Sequence, residues 1–161
     1  MAEAFIALGS NLGNRQDNLK KALQILGERL IVLKISSFYD TEPMYVEDQN
    51  WFLNCVVKVR TEFSPRSLLE VLKRIEQAMG RKRSNIERRF GPRIIDIDIL
   101  FYDNQIVSVD DLKIPHPRIQ ERLFVLVPLA EIEPRFIHPS FRKSISELIA
   151  ENHSEKKIVK L

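Results

Sequence analysis

The sequence is poor in cysteine and has no long run of apolar residues. Cys55 is the single cysteine among 161 residues, so an internal disulfide is excluded and an oxidising compartment is not indicated. No stretch approaches the ~20 apolar residues that a membrane-spanning helix needs, and the N-terminal residues lack the pattern of a secretory signal. From these absences we expect a cytoplasmic protein without a membrane partner.

Glycine, proline and net charge are also low. The chain has 5 Gly and 8 Pro, and 44% of its residues are apolar, which is typical of a packed globular domain. We therefore expect residues 1–161 to form one domain. The formal net charge of +3 is too small to indicate nucleic-acid binding by itself. The charge is nevertheless concentrated, because residues 81–93, which we call the basic segment, hold six cations and one acid.

Hydrophobic periodicity and turn residues predict the element order βαββαβ. The predicted strands lie at 4–8, at 32–39, at 52–61 and in the last part of the stretch 88–101. The predicted helices run from Asn14 to about Gly27 and from Ser64 to Gly80. This order is typical of the ferredoxin-like α+β fold, whose antiparallel sheet carries helices on one face. We expect the other face to be open. Residues 102–161 are interpreted as a C-terminal elaboration, with a strand near 105–107 and helices near 122–132 and 144–151.

Alternation along two strands assigns a pair of carboxylates to the open face. In the third strand, every second residue from Leu53 to Val59 is apolar, and this set is expected to face the helices. Phe52 and Asn54 therefore point the other way. The residues of the fourth strand that should face the helices are Ile95, Ile97, Ile99 and Phe101. Asp96 and Asp98 therefore fall on the open face, beside Phe52 and Asn54.

The spacing of Asp96 and Asp98 indicates a counter-ion between them. Two strand rises separate them by about 6.6 Å, and two unpaired like charges at that spacing would be costly when half-buried. One interpretation is an ion pair with Arg93 or simple exposure to solvent, which is the commoner meaning of so short a motif. The other is a hard cation with oxygen ligands, and Mg²⁺ suits two carboxylates that leave room for substrate phosphates.

Three further features of the sequence each have two interpretations. The basic segment is either a solvated loop or a set of donors for phosphate oxygens, and residues 81–92 would then form a mobile lid. Glu76 lies on or beside the apolar stripe of its helix and has two interpretations. One is an ion pair with Arg81 or another cation, and the other is a hydrogen bond to a nucleotide hydroxyl. His116 lies between two prolines near Arg118 and Arg122, so it is either structural or a phosphate contact.

The motifs together closely resemble a known family. The matching stretches are GSNLGNR at 9–15, SSFYDTEP at 36–43, FLN at 52–54, GPRIIDIDILF at 91–101 and IPHPRIQERLFVLVPLAEIEP at 114–134. In this order they resemble the 6-hydroxymethyl-7,8-dihydropterin pyrophosphokinases of folate biosynthesis. The resemblance implies a monomer that moves the β,γ-pyrophosphoryl group of MgATP to the pterin hydroxymethyl group and releases AMP.

The resemblance also implies roles for individual residues. Two Mg²⁺ ions would be held by Asp96 and Asp98, which with Arg81 and Arg93 form the implied catalytic set. The implied ATP contacts are Glu76, Arg81, Arg83, Arg93, Ile97, Lys113, His116 and Arg122. The implied pterin contacts are Thr41, Glu42, Pro43, Tyr45, Phe52, Asn54 and Phe124. Phe90 stands where a Trp often closes the lid, and either Arg88 or Arg89 matches the lid arginine.

Two rival functions remain open from the residues alone. An RNA-binding sheet is one, but its characteristic K/R-G-F/Y-G/A-F-V-x-F/Y strand is missing from the sequence. A different metal-dependent phosphotransferase or nuclease with the same carboxylates is the other. The residues do not identify a general base.

Overall fold

A computed structural model describes residues 1–45, 48–80 and 93–161. Its strands are β1 (Ala2–Ser10), β2 (Ile31–Ile35), β3 (Tyr39–Thr41), β4 (Phe52–Thr61), β5 (Asp96–Tyr102), β6 (Val107–Val109), β7 (Leu112–Ile114) and β8 (Ile158–Lys160). Its α-helices are α1 (Arg15–Arg29), α2 (Pro65–Ala78), α3 (Leu123–Ile132) and α4 (Ile145–Ala150), and a 3₁₀ turn spans Ile119–Glu121. None of the helices in these ranges is long and apolar enough to cross a bilayer.

The main sheet has the predicted ferredoxin-like order. Its strands run β5-β1-β4-β3-β8, with β2 also paired to β4, and the recorded pairs are antiparallel. The segment predicted as one strand at 32–39 is divided into β2 and β3. Ser36 lies at the break, where its hydroxyl accepts a hydrogen bond from the Val56 amide at 2.9 Å, so a side chain replaces one bond of the ladder.

The two predicted helices begin at the predicted caps. The Asn14 side chain accepts a hydrogen bond from the Asp17 amide, and the Ser64 hydroxyl accepts one from the Ser67 amide. α1 continues past Gly27 to Arg29. Both helices pack on one face of the sheet against the apolar set of β4, as predicted. The residues of that set are Leu53, Cys55, Val57 and Val59.

The opposite face of the sheet is open only in part. A second core cluster there joins sheet residues such as Phe5 and Val56 to Val125 and Leu129 of α3 and Leu148 of α4. The C-terminal elaboration therefore covers one region of this face, because α3 is apolar around most of its circumference and must be buried. The uncovered region holds the candidate site.

A β-bulge overturns the prediction for Phe101. The register with β1 pairs Phe5 with Phe101 but Ile6 with Ile99, so Leu100 is the extra residue. The side chains therefore change parity, and Phe101 packs in the second cluster beside Phe5, with ring centroids 6.2 Å apart, instead of facing α1 and α2. Alternation alone could not reveal this shift.

Candidate active site

A cavity of about 370 Å³ opens on the uncovered part of the sheet face. Its walls come from β1, β3, β4, β5, the loop after β3 and the segment from His116 to Val125. Twelve of the residues predicted for the site line it: Thr41, Glu42, Pro43, Tyr45, Phe52, Asn54, Arg93, Asp96, Asp98, His116, Arg122 and Phe124. Residues far apart in the chain are thus brought to one concave surface.

A row across three strands forms the floor of the cavity. Gly9 of β1 pairs with Asn54 of β4 on one side and with Asp96 of β5 on the other. A Cβ atom at Gly9 would lie 2.5 Å from Oδ1 of Asn54, so the absence of a side chain there leaves the amide in place. The Asn54 side chain is 7% exposed, and its Nδ2 donates to Oγ1 of Thr41 at 2.6 Å. One end of the row is therefore a fixed amide and the other a carboxylate.

The carboxylates of Asp96 and Asp98 lie at the second end of the cavity. Small residues face them on β1, where Gly9 pairs with Asp96 and Ala7 pairs with Asp98. The Asp98 side chain is 38% exposed, and its Oδ2 lies 4.0 Å from a terminal nitrogen of Arg122. Within the described ranges no group of three or more His, Cys, Asp or Glu side chains could hold a metal. Two carboxylates beside open space fit a hard cation whose remaining ligands are water and phosphate.

An arginine–aromatic cluster borders the carboxylates. The Arg122 guanidinium lies 5.5 Å from the ring centroid of Tyr45 and 5.8 Å from that of Phe124. The Arg118 guanidinium lies 5.4 Å from the Tyr45 ring, so Tyr45 contacts two cations. Arg118 lines the cavity but was not among the predicted site residues. Its position two residues after His116 was the sequence signal that could have identified it.

His116 is fixed and uncharged at neutral pH. Its amide donates to the Leu100 carbonyl at 3.0 Å, and its Nδ1 accepts from the Arg118 amide at 3.2 Å. Burial, and then the charge of Arg122, lower the pKa of His116 to about 4, although Asp96 opposes this effect. Because Nδ1 is an acceptor, the neutral ring carries its proton on Nε2 and can donate there.

Asn11 connects two borders of the cavity and was also missed. Its Oδ1 accepts from the Arg93 amide at 2.7 Å, while its Nδ2 donates to Oε1 of Gln49 at 2.9 Å and to the Asn50 carbonyl at 3.2 Å. It lies within the GSNLGNR stretch at 9–15 but was not among the predicted site residues. The main chain of Arg93 is thereby fixed three residues before β5 begins.

Three predicted ATP contacts in the described part of the chain do not line the cavity, namely Glu76, Ile97 and Lys113. Glu76 is 8% exposed, and its Oε2 accepts from the Ile97 amide at 2.9 Å, a main-chain partner that neither reading of Glu76 foresaw. Lys113 donates to Ser108 within the β6–β7 hairpin. Arg81, Arg83, Arg88, Arg89, Phe90 and the predicted lid at 81–92 lie outside the described residues.

Comparisons with known proteins identify relatives of this chain. A family model described as 7,8-dihydro-6-hydroxymethylpterin-pyrophosphokinase (HPPK) matches residues 5–134. The 2-amino-4-hydroxy-6-hydroxymethyldihydropteridine pyrophosphokinase of Aquifex aeolicus is 43% identical over 153 residues, which cover 94% of this chain and 93% of that protein. The Bacillus subtilis protein of the same name is 47% identical over 131 residues, which cover 80% of this chain and 77% of that protein.

Other relatives are much longer than this chain. The folic acid synthesis protein FOL1 of Dictyostelium discoideum is 43% identical over 136 residues, which are 84% of this chain but 20% of that protein. A solved HPPK-DHPS chain matches with a TM-score of 0.74 and 20% identity, over 93% of this chain and 43% of that one, and so supports the fold. The chain therefore belongs to the 7,8-dihydro-6-hydroxymethylpterin-pyrophosphokinase family, whose members transfer a pyrophosphoryl group from ATP to hydroxymethyldihydropterin in folate biosynthesis.

Proposed function

We propose that the cavity is where this chain transfers the β,γ-pyrophosphoryl group of ATP to the hydroxymethyl oxygen of 6-hydroxymethyl-7,8-dihydropterin, releasing AMP. The observation that carries the proposal is the row formed by Asn54, Gly9 and Asp96. It places an amide suited to a heterocycle edge and a carboxylate suited to a metal on either side of a residue without a side chain. Both substrates then meet over Gly9.

The end of the cavity around Asn54 suits a flat, polar ring. Phe52 and Phe124 both line the cavity and supply faces between which a pterin stacks. The Asn54 amide offers a donor and an acceptor to the ring edge. The hydrogen bond from its Nδ2 to Oγ1 of Thr41 fixes the orientation of the amide group. The loop residues Glu42, Pro43 and Tyr45 complete this end.

The end around Asp96 and Asp98 suits a metal-bound triphosphate. These two carboxylates would hold two Mg²⁺ ions, which supply charge neutralisation and orientation for the phosphates. Arg93, Arg122 and Nε2 of His116 then donate to phosphate oxygens from around the carboxylates. We assign Arg81 and Arg83 of the basic segment, with Glu76, Ile97 and Lys113, to the nucleotide as well, on the family resemblance.

The transfer itself is an in-line displacement. The pterin hydroxyl oxygen forms a bond to the β-phosphorus, the bond between that phosphorus and the α,β-bridging oxygen breaks, and AMP leaves with the bonding electrons. The hydroxyl proton passes to solvent. The residues act mainly by positioning both substrates and by stabilising charge with fixed donors.

Incubating the protein with MgATP and the pterin alcohol tests the proposed reaction. Chromatography of the products should show AMP and the pterin diphosphate in equal amounts. Formation of ADP would redirect the assignment to a simple kinase, and the lack of any turnover would overturn it. Omission of Mg²⁺ with added chelator should stop the reaction.

We predict that Arg93→Ala lowers kcat by about 10²–10³-fold with a smaller change in nucleotide affinity, because a cation whose main chain is fixed three residues before β5 acts mainly on charge that develops in the transition state. Steady-state kinetics and ATP titration measure the two quantities. Arg135→Ala, which removes an exposed arginine outside the cavity lining, is the matched control. An unchanged kcat for Arg93→Ala would refute this role.

The remaining assignments concern the protein as a whole. We propose that residues 1–161 act as a single pyrophosphokinase domain, as a monomer in the cytoplasm, with ATP and the pterin as partners and without nucleic-acid or membrane binding. The support is the small net charge and the lining of one cavity, within one chain, by twelve residues proposed to contact the two substrates. Sedimentation analysis of the active protein tests the monomer.

A further inference from the structure

We propose that residues 152–161, which we call the C-terminal segment, are a positioning element that sets the affinity of the site for the pterin. This inference rests on the proposed function of the cavity. The segment lies beyond residues 5–134, which the family model matches. Its contacts are made with β3, with Glu42 in the loop that follows β3, and with the 3₁₀ turn that precedes α3. Thr41 and Glu42 among these partners are assigned to the pterin.

The segment contributes little to the hydrophobic cores. Among the described residues, the two core clusters and the side chains packed against them end at Ile149. β8 lies at the edge of the sheet, and its Val159 is 51% exposed. The contacts that fix the segment are therefore mainly polar and main-chain contacts, and those at Thr41 and Glu42 reach residues assigned to the pterin.

Glu42 is held by the segment through both its main chain and its side chain. The Glu42 amide donates to the Lys157 carbonyl at 3.0 Å, and the Lys157 amide donates to Oε2 of Glu42 at 3.1 Å. Nζ of Lys156 lies 3.8 Å from the other carboxylate oxygen. Next to this contact, β8 pairs Ile158 with Thr41. The first residues of the loop are thus aligned by the segment.

The segment also contacts the 3₁₀ turn that precedes α3. Nδ2 of Asn152 donates to the Gln120 carbonyl at 3.0 Å, just before α3 begins. A small crevice of about 10 Å³ is lined jointly by Ser154 and Lys156 of the segment, by Thr41 and Met44 of the loop, and by Phe124. The C-terminal segment therefore lies against both the loop at 41–45 and the Phe124 ring.

Thr41 transmits this alignment to the floor of the cavity. Its Oγ1 accepts the hydrogen bond from Asn54, so a shift of the loop releases the amide assigned to the pterin edge. The carboxylates of Asp96 and Asp98 are remote from this effect, since β5 and β8 lie at opposite edges of the sheet. Disturbing the segment should consequently weaken pterin binding much more than ATP binding.

A pair of variants at one position tests the proposal in the full chain. Lys157→Pro removes the amide that donates to Glu42 and keeps the carbonyl, whereas Lys157→Ala keeps both main-chain groups and is the matched control. We expect Lys157→Pro to raise KM for the pterin about tenfold, with kcat and KM for ATP within about twofold of the parent, and Lys157→Ala to match the parent.

Deletion of residues 153–161 is the second test, with the same three kinetic constants and the unfolding temperature measured. A larger rise in the pterin KM at an unchanged ATP KM supports the proposal. Unchanged pterin KM in both the deletion and Lys157→Pro would overturn it, as would equal losses for both substrates. If the parent protein neither catalyses the transfer nor binds the pterin, the proposed function itself is refuted. That result is distinct from a refutation of the positioning role, which requires an active parent protein.

Discussion

Asp98→Asn is expected to reduce pyrophosphoryl transfer by about 10³-fold or more while the fold remains intact. Asparagine keeps the shape of the side chain but removes the charge that would hold a metal ion against the triphosphate. The side chain is 38% exposed and borders the cavity, so its packing contribution is small. Relief of its repulsion with Asp96 should leave the unfolding temperature unchanged or slightly raised. AMP formation and thermal unfolding measure the two effects.

Asp110→Asn is the matched control for this prediction. Asp110 is exposed between β6 and β7 and does not line the cavity, so the same chemical change there should leave turnover unaffected. ATP titration at varied Mg²⁺ should also show that Asp98→Asn, but not the control, needs more Mg²⁺ for binding. Full activity of Asp98→Asn, or its unfolding, would contradict a metal-binding role.

Gly9→Ala should lower kcat/KM for the pterin by about two orders of magnitude with little loss of stability. The new methyl group would lie 2.5 Å from Oδ1 of Asn54, and the end of that side chain must move because the strand backbone cannot. Movement of the side chain breaks the 2.6 Å hydrogen bond to Thr41 and misplaces the amide assigned to the pterin. A buried polar group of the bound pterin would then lack its hydrogen-bond partner, which explains the size of the expected loss.

Gly27→Ala provides the control for adding a methyl group. Nothing lies within 4 Å of a Cβ atom at Gly27, which is inside α1. That variant should keep full activity and raise the free energy of unfolding by about 0.5–1 kcal/mol, because alanine favours the helix. Pterin titration and chemical denaturation distinguish the variants. Normal pterin kinetics for Gly9→Ala would show that the Asn54 amide is not needed in its observed position.

Local sequence signals located most elements of the fold. The capping groups of Asn14 and Ser64 mark the starts of α1 and α2, because they satisfy amides that the helix itself leaves unpaired. Strict alternation in β4 separated Asn54 from Cys55 correctly, since a regular strand has a period of two. The short strands β3, β7 and β8 were not predicted as separate elements, because three residues carry too little periodicity.

The site was predictable to the extent that its residues carry unusual chemistry. Asp96 and Asp98 were recognised because carboxylates are out of place in an apolar strand, and the motifs around Asn54 and Phe124 added the pterin end. Asn11 was missed because its contact with Arg93 joins residues distant in the chain, whereas Arg118 was missed although it lies two residues after His116. Glu76 illustrates the same limit, because its partner is a main-chain amide of another element.

The sequence by itself determined the element order, the face that holds the carboxylates and the family, because these depend on local periodicity and on short motifs. Tertiary structure decided the rest. Only the sheet register could bring Gly9 between Asn54 and Asp96, turn Phe101 to the other face through a bulge, and pair β8 with β3. These outcomes depend on pairing between distant strands, and a chain's own periodicity does not encode which residues will become neighbours.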